Sequence, residues 1–149
     1  MENLLTGALI LGLVFACCGT SDFASYSDCG VDGYSCMGSA ALNSCSQART
    51  ILADDYPMEA KITGAYDSGS CYLEIRALSE SEFYDFMRSE GADETTIQMF
   101  KTSYGSYFSQ IGNRKASCVV GSSEVSEFFE YGDLESYCTG DLLTYGYYS

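Results

Sequence analysis

The chain has 149 residues, with 21 acidic against 7 basic side chains, no His, no Trp and eight Cys. A formal charge of −14 argues against a nucleic-acid partner, since phosphate binding depends on Lys and Arg, and against anionic membrane surfaces. Without His there is no Ser-His-Asp or Cys-His nucleophile and no His-containing metal or haem site.

Residues 4–18 read LLTGALILGLVFACC, an apolar run without a charge. It is shorter than the ~20 residues a membrane-spanning helix needs, and matches the apolar core of a secretory signal peptide. Only the α-amino group supplies positive charge ahead of it. Small Ala16 marks the end of a leader over residues 1–16. Two processing routes stay open: a plain cut after Ala16, or lipidation of Cys17 as the new N-terminus, with residues 17–27 as a polar tether. A retained leader would instead form a stem. Contact with a membrane is expected only through the leader or the lipid.

Residues 28–149 form one domain. Its six cysteines, Cys29, Cys36, Cys45, Cys71, Cys118 and Cys138, are even in number and contain no CxxC pair. In an exported chain this pattern reads as a disulfide framework rather than a zinc or redox motif. Cys18 is left over.

Gly30 and Gly33 mark a first turn. From Ser35 a short helix carries Cys36, Ala40 and Ala41 towards Cys45, with small residues that allow close packing. Residues 49–53 start a strand, 54–57 turn, and 61–66 continue the strand. Residues 67–70, Asp-Ser-Gly-Ser, turn a hairpin. Cys71, Leu73, Ile75 and Ala77 then alternate with Tyr72, Glu74, Arg76 and Leu78, the pattern of a half-buried antiparallel strand.

Ser79 and Glu82 have capping-box spacing ahead of a helix that buries Phe83, Phe86 and Met87 and stops at Gly91. Asp93 caps a longer helix with Ile97, Phe100, Tyr104, Phe108 and Ile111 in one stripe, ended by Gly112. Residues 114–121 form another strand, with Ala116, Cys118 and Val120 on one face. A short helix from Ser123 then buries Val125, Phe128 and Phe129, and Cys138 ties down the end.

These elements predict an α+β fold: a small antiparallel sheet of about 3–4 strands with helices on one face, stapled by disulfides at ~3 kcal/mol each. Cys71 and Cys118 fall on inward strand faces. They can bond each other or the helix carrying Cys36 and Cys45, and Cys71–Cys118 is the favoured pairing.

The segments Asp28-Cys29-Gly30, Asp32, Cys36, Cys45-Ser46-Gln47-Ala48, Cys71 and Ala116-Ser117-Cys118 resemble a loose group of small exported archaeal proteins with a six-cysteine core. The likeness covers roughly residues 28–140, judged by cysteine order. It implies compartment and architecture and assigns no catalytic residue. The helical stretch 79–112 is where this chain departs.

Acids are the abundant catalytic resource. Glu74 with Glu59 or Asp67 would be the pair for glycosidase-like hydrolysis, and Asp28 with Asp32, or Asp54, Asp55 and Glu59, the oxygen ligands for calcium. Neither set matches a specific motif. No catalytic residue, metal or cofactor is assigned. The tail residues Tyr145, Tyr147 and Tyr148 combine contact area with a polar tip, and read as a docking segment for a protein partner or a second copy. The leading expectation is an exported, surface-anchored, non-enzymatic binding or display domain. A carboxylate-dependent extracellular hydrolase and a filament subunit with a retained leader are the alternatives.

Overall fold

The computed structural model describes residues 26–53 and 56–144. The leader, Cys17 with most of the tether, Asp54, Asp55 and the tail residues Tyr145, Tyr147 and Tyr148 lie outside the described residues. The elements run β1 (Ser27–Val31), α1 (Tyr34–Leu42), β2 (Ala48–Leu52), β3 (Met58–Ala65), β4 (Ser70–Ala77), α2 (Glu80–Ser89), α3 (Glu94–Ile111), β5 (Lys115–Gly121), α4 (Val125–Tyr131), α5 (Leu134–Tyr137), β6 (Cys138–Thr139) and α6 (Asp141–Thr144).

One mixed sheet holds all six strands in chain order. β1 and β2 are parallel, joined across α1, and every other pair is antiparallel. The two-residue period of the strands separates the faces. Ala48, Thr50 and Leu52 of β2 sit opposite Ile62, Ala60 and Met58 of β3. The row continues through Leu73, Ile75 and Ala77 of β4 into Cys118 and Ala116 of β5. All of these are buried. Thr50 is tolerated inside because its hydroxyl donates to the Gly30 carbonyl and accepts the Gly33 N–H.

The sheet is larger than the sequence suggests: six strands rather than three or four. Both additional strands are edges. β1 reads Ser-Asp-Cys-Gly-Val, without apolar alternation, and β6 has two residues. Neither carries a periodic signal; each is fixed by a cysteine and its neighbours rather than by a buried stripe.

The helices follow their local signals. Ser79 and Glu82 form a complete capping box, the Asp93 side chain accepts the Thr96 N–H, and Gly112 is the C-cap of α3. α1 buries Met37, Gly38 and Ala41 on the apolar side of the sheet. A Cβ on Gly38 would lie 2.9 Å from the Ser126 Cβ, so glycine there lets α1 approach α4 closely. The small residues of α1 thus serve a helix–helix contact as well as packing on the sheet. Val125, Phe128 and Phe129 of α4 are buried as expected. α2 and α3 close the end of the sheet where β2 turns into β3. There Tyr56 stacks on Phe83 with ring centroids 5.8 Å apart, and Phe83 packs on Phe108 at 4.5 Å. Tyr56 donates to the Leu78 carbonyl, and Leu78, expected to point outward, is buried just past β4. Tyr104, expected in the buried stripe of α3, is half exposed.

The disulfides are Cys29–Cys36, Cys45–Cys71 and Cys118–Cys138. The favoured Cys71–Cys118 pairing is therefore corrected. Both cysteines do lie on the buried face, but Cys71 sits opposite Val120 and Cys118 opposite Leu73. Such diagonal neighbours are roughly 7–8 Å apart, beyond the usual disulfide span of about 4.4–6.8 Å between Cα atoms. Cys71 instead meets Cys45, just beyond α1, with Cα atoms 5.4 Å apart; Cys118 meets Cys138 directly across the β5–β6 pair.

Candidate functional site

The face of the sheet opposite α1 and α4 follows from the same alternation. It displays Arg49 and Ile51 of β2, Glu59 and Lys61 of β3, Tyr72, Glu74 and Arg76 of β4, and Lys115 and Val119 of β5. Four of the seven basic residues of this acidic chain stand on this face.

Their partners form a graded set of ion pairs. Arg76 is the centre. Its Nη2 lies 3.0 Å from Glu59 Oε2, and its Nη1 lies 2.8 Å from Glu82 Oε2 and 3.0 Å from Asn113 Oδ1. One guanidinium thus ties β3, β4, α2 and the α3–β5 turn. Its side chain is 16% exposed and that of Glu59 11%. Lys61 Nζ also contacts Glu59, at 3.0 Å. Further out, Lys115 holds Glu74 at 3.1 Å and Arg49 holds Asp28 at 3.2 Å, with both cations about half exposed. Tyr26 places its ring 5.6 Å from Lys61 Nζ.

Protonation follows the geometry. Burial pushes the Glu59 carboxyl up, but Lys61 and Arg76 outweigh it and hold the group below the ordinary range. The Arg76 hydrogen bonds, helped by the Ser79 N–H and hydroxyl, bring Glu82 down to about 2 against burial. Both are fixed anions at neutral pH. A glycosidase needs the opposite for its acid, a carboxyl held protonated by its surroundings.

Beside this hub, α2 leans over one corner of the face. A shallow cleft of about 260 Å³ opens there, with Ile51, Leu78 and Phe86 as apolar lining and Glu59, Arg76 and Glu82 as its charged wall.

The other residues singled out in the sequence are spread apart. Asp67 sits at the tip of the β3–β4 hairpin, where its carboxylate accepts the Gly69 N–H, away from Glu59 and Glu74. Glu74 is taken up by Lys115. Asp28 accepts the Gly30 N–H and the Arg49 guanidinium, while Asp32 accepts the Ala53 N–H and the Tyr34 hydroxyl. Among the described residues no three Asp, Glu or Cys side chains converge as a metal site would require. All six framework cysteines are in disulfides.

The sequence reading missed Glu82, Lys61 and Asn113 as parts of the Arg76 network, and Lys115 as the partner of Glu74. Starting β3 at Met58 rather than residue 61 would have revealed Glu59 and Lys61 on the same face as Glu74 and Arg76. Nothing local announces that Glu82, already used as a cap, also bonds Arg76.

No protein-family model, no curated protein and no solved structure matches the chain.

Proposed function

We infer that this chain is an exported, disulfide-stapled binding or display domain that works without catalysis at the cell surface. The observation that carries this reading is the set of three disulfides, two of them in the hydrophobic core, which suits an oxidising compartment. Among the described residues no helix is long and apolar enough to cross a membrane. In this proposal attachment is by the leader or by a lipid on Cys17. Kinship with small exported archaeal proteins belongs to the same proposal and rests on the cysteine order. The tail residues Tyr145, Tyr147 and Tyr148 remain the proposed docking segment.

Glu59 and Glu82 are both engaged by cations, Arg76 and Lys61, which supports a binding reading over acid catalysis at this hub. The open sheet face is the surface on which a carboxylate-bearing partner meets least repulsion. Its exposed pairs, Arg49–Asp28 and Lys115–Glu74, contribute little to stability and exchange readily for a partner's carboxylates.

Intact mass of protein isolated from its native cells tests the reading. A chain starting at Cys17 with a lipid adduct supports anchoring, and an unmodified chain starting at Cys17 supports secretion without a lipid anchor. A full-length chain recovered from cytoplasm, with thiols free, overturns the proposal.

A further inference from the structure

We propose that Cys29–Cys36 is a thiol–disulfide exchange site, opened by an external dithiol reductant while the rest of the domain stays folded. The three bridges differ sharply in setting. Cys45, Cys71, Cys118 and Cys138 are 6%, 0%, 0% and 6% exposed. Cys36 is exposed and Cys29 partly so. An attacking thiolate needs access to a sulfur, and among the described disulfides only this one offers it without unfolding.

The bridge also sits at a place that opens cheaply. β1 is an edge strand hydrogen-bonded to β2 alone, in a register broken between Asp28 and Val31. Gly33 makes the turn that brings Cys36 back over Cys29: a Cβ there would lie 2.3 Å from the Cys29 carbonyl oxygen. When the bridge opens, the hydrogen bonds of Thr50 with Gly30 and Gly33 and the pairing of β1 with β2 still hold the strand.

The chemistry balances with a dithiol as the named co-reactant. Its thiolate attacks the exposed Cys36 sulfur, forming a mixed disulfide and expelling Cys29 as a thiolate, which takes a proton from water. The second thiol of the reductant, deprotonated, then attacks its own sulfur in the mixed disulfide, and Cys36 leaves as a thiolate. Cys36 lies in the first turn of α1, which has no acidic side chain. The helix N-terminus therefore favours that leaving group. The reductant ends as its own disulfide, and the product is a domain with two core bridges and a β1 no longer tied covalently to α1.

This inference rests on the disulfides being formed in the exported protein, and the test separates the two. An aliquot denatured in urea is first alkylated without reductant, so that buried thiols are reached as well. Labelling of all six framework cysteines at this stage defeats the export reading and the exchange site with it. With the framework unlabelled, dithiothreitol is added under native conditions, samples are quenched with iodoacetamide over time, and peptides are mapped. We expect Cys29 and Cys36 to label at least about tenfold faster than the other four, with the near-ultraviolet circular dichroism retained. Equal rates for all three bridges, or Cys45 and Cys71 labelling first, overturn the exchange site and leave the export reading standing. The C29S/C36S double variant gives a second measure. It should keep its near-ultraviolet signal and show no early labelling; loss of that signal contradicts a bridge dispensable to the core.

Discussion

The central meander β2–β5 and the two edge strands β1 and β6 are held by different physics. In the meander, alternate residues such as Ala60, Ile62, Leu73, Ile75 and Cys118 fill one face, so register is set by burial: a slip of one residue would turn the whole apolar row to solvent. At the edges, β1 is mostly exposed and β6 has two residues, so there is little apolar surface to choose a register. A disulfide stands at each instead, Cys29–Cys36 against β1 and Cys118–Cys138 across β5 and β6. Cys45–Cys71 belongs to the interior, joining the residues after α1 to the middle of the sheet. Burial specifies the middle of this fold, and covalent bonds specify its margins.

The largest effect should come from breaking the interior bridge. C45A/C71A removes a crosslink of sequence separation 26 and leaves a gap against buried Ala41. It also frees Ser44 and Cys45, which hold φ values of 55° and 53°, from their tether. We expect a loss of about 4 kcal/mol by urea denaturation, against about 2 kcal/mol for C29S/C36S, whose separation is 7. Equal losses would erase the distinction between interior and margin.

The charged hub comes next. Arg76→Ala leaves Glu59 nearly buried with only Lys61 as a cationic partner, and should cost about 2–3 kcal/mol. Adding Glu59→Gln should return part of it; no recovery would mean that Arg76 acts through packing alone. The same hub sets the acid response. Both Glu59 and Glu82 are depressed from the ordinary 4.5, Glu82 to about 2. Their contribution is complete above pH 4.5 and is lost as pH falls from there through the folded-state value. Tm should decline across that window and flatten in Glu82→Gln. A Tm that holds down to pH 2 in the parent chain would contradict the network.

The smallest effect probes the α1–α4 contact. Gly38→Ala gains ~1 kcal/mol of helix propensity but meets Ser126, for a net loss of about 1 kcal/mol. Adding Ser126→Gly should reverse the sign at the Gly38 position. If Gly38→Ala stabilises the parent chain, the close approach is not as drawn.

The same division explains what was readable in the sequence. Alternation at Cys71–Ala77 and Ala116–Val120, the Ser79–Glu82 box, the Asp93 cap and Gly91 all act through neighbours a few residues away, and all stand in the structure. β1 and β6 depend on partners far along the chain, so no window shows them. The Cys71 partner turned on a two-residue difference in strand register, which face alone does not give. The charged hub was legible in halves. Glu74 and Arg76 were placed outward, but their partners Lys115, Glu59 and Glu82 arrive from other elements.

Peptide mapping without reduction, on protein from its native cells, tests the stapled framework most directly, and trypsin alone separates it from a Cys71–Cys118 bridge. The chain has Arg or Lys at 49, 61, 76, 114 and 115, so Cys71 lies on peptide 62–76, Cys45 on a peptide ending at Arg49, and Cys118 with Cys138 on peptide 116–149. The structure predicts peptide 62–76 joined to the one ending at Arg49, and peptide 116–149 closed on itself. Peptide 62–76 joined to 116–149, or found with a free thiol, would contradict it.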